Sequence, residues 1–150
     1  MKVSSHFAAD EFGLPPLGRE LRTGFVPVQY PSNWIDERLR LLCEALEVLR
    51  DELGGRAVHV LSGYRPEAYN RAIGGARRSQ HVEGRAADVV VDGVEARAVH
   101  DTALRLAKAG RMRVGGLGRY PTFTHVDVRN VQLSGPTSRV VRWIGRRKDS

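Results

Sequence analysis

With 150 residues, 41% of them hydrophobic and 27% charged, the chain is long enough for one domain with a real core and short for two. No apolar stretch approaches the roughly 20 residues of a membrane span, and the start, MKVSSHFAADEF, lacks the apolar segment of a secretory signal. The formal net charge of +7 and a pI near 10.3 point to a polyanion as partner, whether nucleic acid, an anionic cell-wall polymer or a membrane surface.

The first 31 residues are rich in Pro, Gly and turn formers and read as an irregular arm wrapped on a domain that spans 1–150. From Ser32 the pattern changes: Ile35, Leu39, Leu42, Leu46, Leu49 and Leu53 recur at alternating steps of four and three, the stripe of an amphipathic helix. Ser32 or Asn33 is placed to cap it, and Gly54-Gly55 ends it. Cys43, the single cysteine, falls inside this helix, which makes it a small buried hydrophobe and excludes an internal disulfide or a cysteine zinc knuckle. AVHVLS (57–62) reads as a strand, GYRP as a turn, and Pro66 opens a short helix through Ile73 that Gly74-Gly75 stops. AADVVV (86–91) is a second strand, and a helix from Val94 to Ala109 ends at Gly110. GGLGRYP reads as a glycine-rich turn, THVDVR (124–129) as a third strand, RVVRWIG as a last strand or edge segment, and RRKDS as a fraying end. The uneven alternation predicts an α+β domain with a small, largely antiparallel sheet flanked by helices.

Alternation decides where the chemistry lies. Residues two apart on a strand face one side, so His125 and Asp127 share a face, and Asp88 is the one polar group in the row Ala86, Asp88, Val90. A lone buried carboxylate is costly unless it is paired or bound to a metal. If the second and third strands are neighbours, Asp88 meets His125 across the ladder while His81 reaches in from SQHVEGRAAD (79–88). Two imidazoles and a carboxylate with an open fourth position make a catalytic zinc site. Gly84, Ala86 and Ala87 would let the backbone fold tightly around the ion.

SGYR (62–65), GGARRSQHVEGRAAD (74–88) and HVD (125–127) together resemble the zinc peptidases of the D-Ala-D-Ala carboxypeptidase group, whose fold is shared with lysostaphin-type endopeptidases and the hedgehog signalling domain. The signature S-x-H-x-x-G-x-A-x-D is met by Ser79, His81, Gly84, Ala86 and Asp88, and SSHFAADEF resembles a subgroup common in phage endolysins. The resemblance implies a monomeric zinc metallopeptidase, endo- or carboxypeptidase, acting on peptides of bacterial peptidoglycan. Its ligands would be His81, Asp88 and His125. Arg65 would sit at the cleft rim and contact a substrate carboxylate or the tetrahedral oxyanion, with Tyr64 and Ser79 beside it in the substrate site. Many relatives carry an acidic general base three residues before the last histidine, where this chain has Thr122. Asp127 is then either the base or a partner orienting His125, with Glu83 in reserve. Made in the cytoplasm, such a protein would reach the wall through a holin-like pore or at lysis.

His6, His59 and His100 lack motif partners and read as structural, Arg77 and Arg78 as surface charge near the cleft. Two rival readings stand beside this one. A non-catalytic zinc domain of the same fold is favoured by Thr122; a nucleic-acid-binding protein rests on charge alone, without a motif and with few aromatic residues for stacking.

Overall fold

The computed structural model describes residues 1–134 and 139–146; of RRKDS (146–150), read above as a fraying end, all but Arg146 lies outside that range. Its helices are α1 (Arg40–Glu52), α2 (Glu67–Ala72) and α3 (Ala96–Lys108), and its strands β1 (Val58–Ser62), β2 (Ala86–Val91), β3 (Gly116–Arg119), β4 (Thr124–Asp127) and β5 (Val141–Ile144). The strands form one sheet in the order β1-β2-β4-β3-β5, antiparallel except for the β3–β5 pair. This is the expected α+β architecture.

Binary patterning assigns each face of the sheet its task. Ala87, Val89 and Val91 of β2, Leu117 of β3 and Val126 of β4 face the core with Leu42, Leu46 and Leu49 of α1 and Val99, Ala103 and Leu106 of α3. The alternate residues of β2 and β4, Asp88 and His125, therefore face the other side. Ala87 belongs to the core and not to the lining of the polar face. Cys43 is fully buried, and burial pushes its thiol up, so it stays protonated and inert.

Three expectations are corrected. No side-chain cap opens α1, whose N-cap is Leu39: Ser32 lies inside a 3₁₀ turn (Ser32–Trp34) capped by Pro31, followed by a π-helical turn (Ile35–Leu39) that runs into α1. GGLGRYP is largely strand β3. Its glycines mark close approach, not a turn: a Cβ on Gly116 would run into the Asp127 carboxylate, and one on Gly118 would lie 2.7 Å from the Trp143 indole. THVDVR ends its ladder at Asp127, two residues early.

The N-terminal arm sits under the site loops. Phe7 and Phe12 are buried, the Tyr64 N–H donates to the Phe12 carbonyl at 2.8 Å, and a Cβ on Gly63 would lie 2.6 Å from that same oxygen. Since Leu46 has no exposed surface and belongs to the cluster between α1 and the sheet, Leu46→Ala is expected to cost about 2–5 kcal/mol. Urea unfolding monitored by circular dichroism measures this, and a loss within error would contradict the packing described.

Candidate metal centre

A bulge in β1 between Val60 and Ser62 brings Ser62, not Leu61, opposite Asp88. Asp88 faces His125, His125 faces Gly118, and Gly118 faces Trp143, giving one row across all five strands. Asp88 and His125 are 2% and 3% exposed. The Asp88 Oδ1 lies 3.2 Å from His125 Nδ1 and 3.2 Å from His81 Nε2. One donor atom from each of the three residues lies within 4.8 Å of the others. Two ligand bonds of about 2.0–2.1 Å at a tetrahedral angle separate their donor atoms by about 3.3 Å. The donor set of two imidazole nitrogens and a carboxylate oxygen, at this spacing, fits zinc.

Each of the three residues is held from behind. The His81 Nδ1–H donates to the Gly63 carbonyl at 2.8 Å, which turns Nε2 toward Asp88. Ser79 Oγ accepts the His81 backbone N–H at 3.1 Å, and the Arg65 N–H donates to the His81 carbonyl at 3.1 Å. The second oxygen of Asp88 accepts from Arg65 Nη2 at 3.2 Å. His125 Nε2–H donates to Asp127 Oδ2 at 2.7 Å, leaving Nδ1 turned to Asp88. Asp127 in turn accepts from the Arg129 backbone N–H at 3.1 Å, from Nε at 2.9 Å and from Nη2 at 2.6 Å.

Burial and pairing compete at every titrating group. Burial would raise the Asp88 carboxyl, but the two imidazoles beside it hold it well below the usual carboxylate range. Asp127 is likewise opposed by burial and brought down to about 2 by His125 and Arg129. For His81 burial wins and lowers its pKa, keeping the imidazole neutral, the form able to bind a metal. For His125 burial is outweighed by its two carboxylate partners, and its pKa is raised.

The loop that delivers His81 rests on aromatic side chains. Gly84 has φ +67°, and a Cβ there would lie 2.8 Å from Trp34 and 2.9 Å from the Tyr30 hydroxyl, which donates to the Gly84 carbonyl at 2.6 Å. Tyr64 stacks edge-on against both Tyr30 and Trp34, and the Arg38 guanidinium lies 3.9 Å over the Trp34 ring.

A model of the Peptidase M15 family matches residues 5–127. The chain belongs to the Peptidase M15 family. The peptidoglycan L,D-endopeptidases MepK of Escherichia coli (strain K12) and of Shigella flexneri are each 35% identical to it over 106 residues, covering 65% of this chain and 55% of the relative. The chain thus spans about half the length of these curated relatives. Membership in the M15 family bears out the resemblance carried by SGYR, SQHVEGRAAD and HVD.

The M15 motifs converge on one place, with differences from what their spacing suggested. His81, Asp88 and His125 come together. Arg65 does not sit at a cleft rim: it is 0% exposed, because Nε donates to Ser62 Oγ, Nη1 to Asn70 Oδ1 and Nη2 to Asp88. Ser79 is buried and its hydroxyl accepts the His81 backbone N–H, and Tyr64 is half-buried among aromatics. Glu83 is exposed and paired with Arg38 and Arg85, and Thr122 is exposed between β3 and β4. Asn70, Arg129, Trp34 and Tyr30 were not legible as site residues. For Arg129 there was a signal, since it stands two residues beyond Asp127 on the same alternation; for Asn70, buried on a six-residue helix and donating to the Ala76 carbonyl at 2.9 Å, there was none.

Gly84→Ala meets a left-handed backbone and two aromatic rings, so it is expected to cost about 1–3 kcal/mol. Glu83→Ala, one residue away and exposed, is expected to stay within about 0.5 kcal/mol. Parallel urea titrations of the two variants check this, and equal effects would refute the tight seat of Gly84.

Proposed function

We propose that this M15 chain is a zinc peptidase that hydrolyses peptide bonds in the stems or cross-links of bacterial peptidoglycan. The observation that carries this is the direct pairing of Asp88 with His125 on neighbouring strands, with His81 closing on the same carboxylate oxygen. When bound, zinc would supply a Lewis acid and acidify a water for attack on the peptide carbonyl. His81 and His125 would offer Nε2 and Nδ1, their orientation set by the Gly63 carbonyl and by Asp127. Arg65 would keep Asp88 ionised and pointed at the ion.

Of the two roles open to Asp127, orientation of His125 is the one proposed, since both its oxygens are engaged by His125 and Arg129. Endo-type cleavage is favoured over removal of a terminal residue on two grounds. The curated relatives are endopeptidases by name. Capture of a substrate's terminal carboxylate calls for an accessible cation, and Arg65 is buried against Asp88. The chain's charge of +7 suits an anionic wall.

Purified protein is expected to carry about one zinc per chain, to release peptide-bond cleavage products from peptidoglycan by mass spectrometry, and to lose that activity on chelation. Zinc-loaded protein that leaves peptidoglycan intact would support the non-catalytic reading instead. Asp127→Asn is expected to weaken zinc binding by about 10- to 100-fold, measured by chelator competition. Full zinc affinity with a collapsed rate would instead make Asp127 the base.

A further inference from the structure

The row of site residues continues past His125. Next in register is Gly118, and then Trp143 on β5. A side chain at 118 would stand between His125 and β5; glycine leaves that space to the Trp143 indole, whose ring centre comes within 4.9 Å of the His125 imidazole. The indole is held at its other edges too. Its Nε1–H donates to the Tyr120 hydroxyl at 3.0 Å, and the Arg129 guanidinium stands 5.2 Å from its ring centre. Tyr120 in turn fills the space a Cβ on Gly145 would need, so the two aromatics interlock through a glycine on each other's segment.

This seat is costly for an edge strand whose other apolar residues, Val141 and Ile144, are left 45% and 69% exposed. Trp143 itself is only half-buried, while His125 and Asp127 behind it are closed off. Its indole, centred 4.9 Å from the His125 ring, therefore keeps part of its surface accessible. The family match covers residues 5–127, and Trp143 lies beyond it.

Resting on the peptidase reading above, we propose that Trp143 is a specificity-determining residue, the wall of the substrate cleft on the β3–β5 side of the ligands. Its indole takes an uncharged aliphatic part of the peptide flanking the cleaved bond. A cationic group is disfavoured there because the Arg129 guanidinium already stands at the ring.

The test uses zinc-loaded wild type, Trp143→Ala and Trp143→Phe with soluble cross-linked stem peptides. Zinc content, kcat, KM and tryptophan emission are read on the same preparations. All three proteins are expected to keep zinc. Trp143→Ala should raise KM about tenfold with kcat within about threefold, and Trp143→Phe should recover most of that loss. Peptide should quench wild-type emission, and the quench should vanish in Trp143→Phe, where Trp34 is the remaining indole. An unchanged KM in Trp143→Ala, or loss of its zinc, overturns the proposal; zinc loss would make Trp143 a support for His125. Quenching without cleavage in wild type would keep the binding role and sink the peptidase reading. Neither quenching nor cleavage would remove both.

Discussion

A carboxylate in the middle of a sheet, 2% exposed, is the constraint around which this molecule is arranged. Left alone, Asp88 would cost several kcal/mol of lost hydration or would take up a proton. The structure meets that demand from three directions: Arg65 from the loop after β1, His125 from the neighbouring strand and His81 from the loop before β2. None of these partners is near Asp88 by virtue of the local chain alone. The β1 bulge, the β2–β4 register and the turn at Gly84 are each needed to bring one of them in. The polar face of the sheet is thus as strongly specified as the apolar one. A slip of one residue between β2 and β4 would bury Asp88 without His125 and turn Val89 out of the core.

Glycines make the close approaches possible. At Gly63 the chain touches the arm, at Gly84 it touches Trp34 and Tyr30, at Gly116 it makes room for Asp127, and at Gly118 it makes room for Trp143. Only at Gly84 among these does the backbone also need the left-handed region. The others are required by space. Composition alone reads such residues as turns, which is why GGLGRYP looked like a loop although it forms β3.

That case marks where sequence reasoning holds and where it stops. A period of 3.6 located α1 and alternation the start of β4, while apolar runs bounded by turn residues located β1, β2 and α3. The clustering of His81, Asp88 and His125 was legible for a related reason, since a polar residue in an apolar row has few physical excuses. Arg65 was legible as important but not as buried. Its position depends on Ser62 and Asn70, and Asn70 sits on a short helix with no pattern that ties it to a strand two elements away. Trp143 was illegible as a neighbour of His125. Its place follows from a parallel pairing of β3 with β5, and no local signal specifies which edge a last strand will join.

The pairing of charges around the triad bears on what the pocket favours. Asp88 is matched by the Arg65 guanidinium and Asp127 by that of Arg129, and His81 is kept neutral by burial. With His125 also neutral, as an imidazole holding an ion would be, the protein groups come close to cancelling. A divalent ion held by them would leave the pocket with an excess of positive charge, in surroundings where water screens little. Such a pocket prefers a group that becomes negative, as a peptide carbonyl does when it is attacked. A site built with two uncompensated carboxylates would hold the same ion more tightly but oppose that charge. With an ion held there, the two arginines, neither of which donates an atom to the triad's cluster, would set the electrostatic sign of the site, Arg65 from a fully buried position.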